Sequence, residues 1–175
     1  MRALISSLAG ASALLLLTAC GGGGCGSSTP AGPSYATSLS YTDPTTGTYK
    51  LVKDAASNGG TLVLDLVGPN GLAISGASFS FSADSAKTTW TSPIQNGNTF
   101  NLGAAPQALA TKVTGTELQG AVSQKGTWSP VSLSGTSILA KVTLTLKAHT
   151  GKGAITFTDS GKGSYLDGTG VHATA

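Results

Sequence analysis

Polar and apolar residues alternate along several stretches of this chain. Across Gly76–Asp84 the odd positions Ala77, Phe79, Phe81 and Ala83 are apolar, and Ser78, Ser80 and Ser82 stand between them. A strand sends successive side chains to opposite faces, so this segment predicts a strand with one buried and one wet face. From Ile138 to His149 the pattern repeats. Ile138, Ala140, Val142, Leu144, Leu146 and Ala148 share one face, and Lys141, Thr143, Thr145 and Lys147 share the other. A helix would mix the two sets around its circumference. Thr61–Val67 groups Leu62, Leu64 and Leu66 in the same way. Shorter strands are expected at Thr48–Lys53, Thr88–Thr91, Thr99–Leu102, Lys112–Thr114, Glu117–Gln124, Ala154–Thr158 and Val171–Thr174.

Turn chemistry falls between these stretches. Gly68-Pro69-Asn70-Gly71 puts Pro and Asn at the centre of a turn. Asn96-Gly97 reads as a hairpin, and Asp159-Ser160-Gly161 and Asp167-Gly168 as further turns. Only Ala104–Thr111, which contains Pro106, leaves room for a short helical turn. Many short strands at this spacing, without a long helical pattern, predict an all-β fold, a two-sheet sandwich.

The order of the pieces resembles the cohesin-like β-sandwich. TLVLDLVGP is followed by ISGASFSFSADSAKTTW, and later come ILAKVTLTLKAHTGKGAITFTD and SYLDGTG. The likeness spans Thr61 to Ala175 and rests on apolar positions and turns. It implies an antiparallel two-sheet sandwich of the jelly-roll type with about nine strands, a form shared with some carbohydrate-binding modules. It assigns no partner-binding side chain.

The first residues follow a different rule. Met1 and Arg2 give a positive start, Leu8–Leu17 an apolar run, and Leu17-Thr18-Ala19-Cys20 a stretch of small residues ending in cysteine. The run is shorter than the roughly 20 apolar residues of a membrane span. This resembles the lipobox of bacterial lipoproteins. The resemblance implies cleavage before Cys20, lipidation of the Cys20 thiol and, with Gly21 in place of an aspartate, an outer-membrane address. Two or more acyl chains make a stable anchor where one does not. Gly, Ser and Pro dominate from Gly21 to Ser34, a composition that forms a flexible tether. The expected organisation is therefore a signal at 1–19, a lipid-bearing tether at 20–40 and one sandwich domain at 41–175. Cys25 is read as an inert occupant of the tether, with a free thiol or an intermolecular disulfide as the other readings.

Composition then narrows the function. The formal net charge is +3, and Arg2 is the sole arginine. The lysines lie scattered from Lys50 to Lys162. A reader of nucleic acid uses arginine forks on base edges, so that class is set aside. Glu117 is the one glutamate, beside Asp43, Asp54, Asp65, Asp84, Asp159 and Asp167. No spacing among them nominates the facing pair that glycoside hydrolysis needs. His149 and His172 are the two histidines, and no Gly-x-Ser-x-Gly elbow accompanies them. Gly151-Lys152-Gly153 and Gly161-Lys162-Gly163 lack the phosphate-loop form and read as strand connections. Asp167-Gly168-Thr169-Gly170 offers one carboxylate, few for calcium, and reads as a turn. No metal and no cofactor is expected.

Aromatic side chains remain as candidate binding groups. Trp90, Trp128 and Tyr165 are placed in loops, where they would anchor a partner or stack on a sugar; core packing is the competing use of such rings. The Ser and Thr faces of the strands lack such anchors, so binding is expected in these loops or along an exposed edge. The combined expectation is a non-enzymatic outer-membrane lipoprotein. Its membrane contact is the N-terminal lipid on Cys20, and its cohesin-like module holds a protein partner at the envelope. A carbohydrate-binding module with a polysaccharide ligand is the alternative, and an enzyme of envelope polysaccharide comes third.

Overall fold

The structure, a computed structural model, describes Gly32 and residues 34–102, 109–126, 129–157, 161–167 and 169–174. Pro33–Ala175 form one compact unit. The expected signal and most of the tether lie outside the described residues. Among the described residues the regular elements are all strands: β1 (Ser38–Ser40), β2 (Lys50–Lys53), β3 (Thr61–Val67), β4 (Ala73–Ile74), β5 (Gly76–Ser82), β6 (Thr88–Trp90), β7 (Gln95–Asn96), β8 (Leu109–Thr114), β9 (Glu117–Ser123), β10 (Val131–Ser132), β11 (Ile138–Leu146), β12 (Ala154–Thr156), β13 (Lys162–Asp167) and β14 (Gly170–Thr174).

Two five-stranded antiparallel sheets make the sandwich. One runs β2-β3-β11-β6, with β7 also paired to β11. The other runs β14-β13-β5-β9-β8. Two small ribbons complete the fold: β4 with β10, and β1 with β12, the latter parallel. β1 falls inside the stretch expected to be tether; Leu39 beside Ile155 is buried there.

The alternation seen in the sequence makes the core. Leu62, Leu64 and Leu66 of β3 meet Val142 and Leu144 of β11, and all are at most 1% exposed. Phe79 and Phe81 of β5 and Leu118 and Val122 of β9 close it from the other sheet. Rings continue across the interior, Phe81 to Trp90 at 6.4 Å and Trp90 to Phe157 at 5.6 Å between centroids. Burial of apolar area at about 25 cal/mol per Å² is the chief stabilising term for such a core, which contains no disulfide.

Several expected elements differ. β11 ends at Leu146, and a bulge between Ile138 and Ala140 turns both Leu139 and Ala140 inward. His149 lies beyond the strand at φ 59°, with its ring edge-on to Tyr35. Thr99–Leu102 is not a strand; Phe100 is buried while Thr99 donates its hydroxyl to the Ile138 carbonyl. Asn96-Gly97 makes no hairpin, because Asn96 ends β7 against β11. Of the expected helical turn, Leu109–Thr111 belongs to β8 and the residues before it lie outside the described set. Lys162 and Gly163 open β13 rather than a connection.

Candidate functional site

Of the residues proposed from the sequence, Cys20 and Trp128 lie outside the described residues. Trp90 is not a loop platform. It ends β6 at 5% exposure, and its indole N–H donates to the Thr116 carbonyl at 3.1 Å. The cause is register: Trp90 stands opposite Leu144, on the inward side of the sheet. Tyr165 likewise sits in a strand, β13, opposite Ala77 of β5. It is half-buried, with its ring 6.4 Å from that of Tyr49. Burial, reinforced by the Tyr165 hydroxyl, pushes the Tyr49 phenol up from its ordinary value. Trp90 and Tyr165 therefore form no loop surface.

A different surface is open. The outward side of the β14-β13-β5-β9-β8 sheet carries three cross-strand rows. Lys162, Ser80, Gln119 and Lys112 form the first, and Ser164, Ser78, Ala121 and Ala110 the second. The third is Leu166, Gly76 and Ser123, extended by Val171 on β14. The Ser78 and Ser164 hydroxyls are hydrogen-bonded at 2.7 Å. These small side chains leave a shallow trough of about 300 Å³ bordered by Ser78, Ala121, Ser164, Leu166 and Val171. Leu166 is 42% and Val171 73% exposed. Lys112 and Lys162 are exposed as well, and neither has an ion pair among the described residues. Sequence reading passed over Leu166 and Val171. A strand was expected at Val171–Thr174 but none around Leu166, where Gly, Ser, Tyr and Asp mix without alternation, and only the register brings the two side chains together.

The carboxylates separate into distinct settings. Asp84 pairs with Lys87 at 3.0 Å on the surface. Asp167 accepts from the N–H and hydroxyl of Thr169 and from Gly170 N–H, closing the β13–β14 turn expected there. Asp54 and Asp65 converge on Lys141 on the outward side of the other sheet. Lys141 stands directly across from Asp65 and donates to its Oδ1 at 2.7 Å, and it also bonds Asp54 Oδ2. The Lys141 hydrogen bond, with help from Ala56 N–H, holds the Asp54 carboxyl below its ordinary 3.8. Both carboxylates in turn raise the Lys141 ammonium. Pairing these residues needs strand register, which the sequence pattern alone does not supply.

Among the described residues, no group of three or more His, Cys, Asp or Glu side chains is placed to hold a metal. No helix there is long and apolar enough to cross a membrane. Compared with family models, curated proteins and solved structures, the chain matches none.

Proposed function

We propose that this chain is a lipoprotein anchored through Cys20, whose sandwich is a non-catalytic, cohesin-like module that docks a protein partner at the cell envelope. The observation that supports this reading is the outward face of the β14-β13-β5-β9-β8 sheet. Its small side chains make a flat bed, Leu166 and Val171 give it an exposed apolar end, and Lys112 and Lys162 give it exposed positive charge. Interfaces combine an apolar core with complementary charge at the rim. The partner surface that fits is apolar opposite Leu166 and Val171 and acidic opposite the two lysines.

Two experiments test the reading. Cys20→Ala should leave the precursor uncleaved and unlabelled by radioactive palmitate; normal labelling removes the lipoprotein assignment. A photo-crosslinking side chain at Gln119 should give, in intact cells, one protease-sensitive adduct that disappears when Lys112 and Lys162 are both changed to Glu. The same probe at Thr143, on the opposite sheet, should give none. An adduct that resists protease is the sign of polysaccharide, and an adduct only at Thr143 places docking elsewhere.

A further inference from the structure

We propose that Lys141 and Asp54 condense into an intramolecular amide, with Asp65 moving the protons, so that the fold carries its own covalent staple. All the parts that such a reaction needs meet at one place. The nucleophile is the Lys141 amine on β11. The electrophile is the Asp54 carboxyl, whose Oδ2 accepts a hydrogen bond from Lys141 Nζ. Its other oxygen, Oδ1, accepts from Ala56 N–H at 2.7 Å, so a donor already faces the atom that takes negative charge when the carbonyl is attacked. Asp65 Oδ1, 2.7 Å from the same nitrogen, is the base and then the acid.

The reaction balances without a co-reactant. A proton passes from the Lys141 ammonium to Asp54 Oδ2, leaving a neutral amine beside a carboxylic acid. The amine attacks Cγ, and the charge on Oδ1 is held by Ala56 N–H. Asp65 takes one proton from the attacking nitrogen and returns it to Oδ2, which departs as water. One C–N bond forms and one C–O bond breaks, the nitrogen keeps one hydrogen, and Asp65 ends as it began.

Condensation in open water is unfavourable, and position is what opposes that here. The side chains are 28%, 18% and 13% exposed for Lys141, Asp54 and Asp65, so the site is partly sheltered. The turn carrying Asp54 is pinned to β3. Asp54 N–H donates to the Val63 carbonyl at 2.9 Å. Ser57 Oγ donates to the same carbonyl and accepts from Val63 N–H, both at 2.9 Å. Groups held in this way act at effective concentrations of about 10⁵–10⁸ M in favourable cases. The ion pair is the ground state from which the reaction starts, and its stability slows the proton transfer that opens the reaction.

The test is peptide mapping of the full-length chain after denaturation and trypsin. An acylated Lys141 resists cleavage, so the expected product is Asp54–Lys87 joined to Gly126–Lys147, lighter than the two peptides by one water. Fragment ions should place the branch on Asp54. Lys141→Arg keeps a cation between the two acids and should give only linear peptides. Asp65→Asn should lower the branched fraction at least tenfold after equal times. A wild-type chain that yields linear peptides alone overturns the proposal, as does a branch on Asp65 or full branching in Asp65→Asn. Water lost to an imide at Asp167-Gly168 falls in a separate peptide, Gly163–Ala175, and joins no two peptides, so it is not mistaken for the branch.

Discussion

Close contact decides what individual residues can be. A methyl group on Gly97 would lie 1.9 Å from the carbonyl oxygen of Ile138, where β7 meets the start of β11. Backbone cannot yield as a flexible side chain does. Gly135, by contrast, has nothing within 4 Å of that position. Gly97→Ala should therefore cost about 3 kcal/mol or more in urea unfolding, beyond the usual overpacking range only if the strands part. Gly135→Ala should stay within about 0.5 kcal/mol. Equal costs would mean that β7 does not lie against β11. In the sequence Asn96-Gly97 has the form of a turn, and nothing local separates a glycine needed for a turn from one needed for contact. Trp90 carries the same lesson. Its neighbours are threonines, so the sequence offers no sign that register points the ring inward.

Strands were legible in proportion to how differently their two faces are treated. β3, β5 and β11 each have the core on one side and solvent on the other, and the alternation at Leu62, Phe79 and Leu144 follows from that. β8 and β13 pack more loosely, with Val113 and Leu166 exposed, so their patterns fade. The bulge in β11 was also hidden, because Ile138, Leu139 and Ala140 are all apolar and any register suits them locally. It yields a sharp comparison. Leu139 and Leu144 are both 0% exposed, so either change to Ala should cost about 2–5 kcal/mol. Thr143→Ala, on the outward face, should cost well under 1 kcal/mol. If Leu139→Ala is as mild as Thr143→Ala, strict alternation continues through Leu139 and the bulge is absent.

The molecule as a whole has few ways to resist unfolding other than its core, and the Asp54–Asp65–Lys141 group ties β3 and β11 to the turn after β2. In the ionised form this tie depends on pH. The folded Asp54 carboxyl titrates below its ordinary 3.8, so its contribution is complete above that value and disappears as pH falls through the lower, folded one. The Lys141 ammonium titrates above its ordinary 10.5, so between neutrality and that value its contribution does not change. An amide has no such titration. Asp65→Asn keeps the Lys141–Asp54 pair but removes the proton carrier, and so serves as the ionised reference. Its stability should fall on acidification below about pH 4, while the stapled wild-type chain lacks Asp54's share of that slope. At neutral pH the staple, which closes a long loop, should make the wild type more stable by about 3–5 kcal/mol, as chain-entropy models give for a cross-link of that span. Denaturant unfolding of both chains from pH 3 to pH 8 reads both quantities. Profiles that show Asp54's acid slope in both chains, with no offset of that size, would show that Asp54 stays ionised against Lys141 in the wild type and that no staple forms.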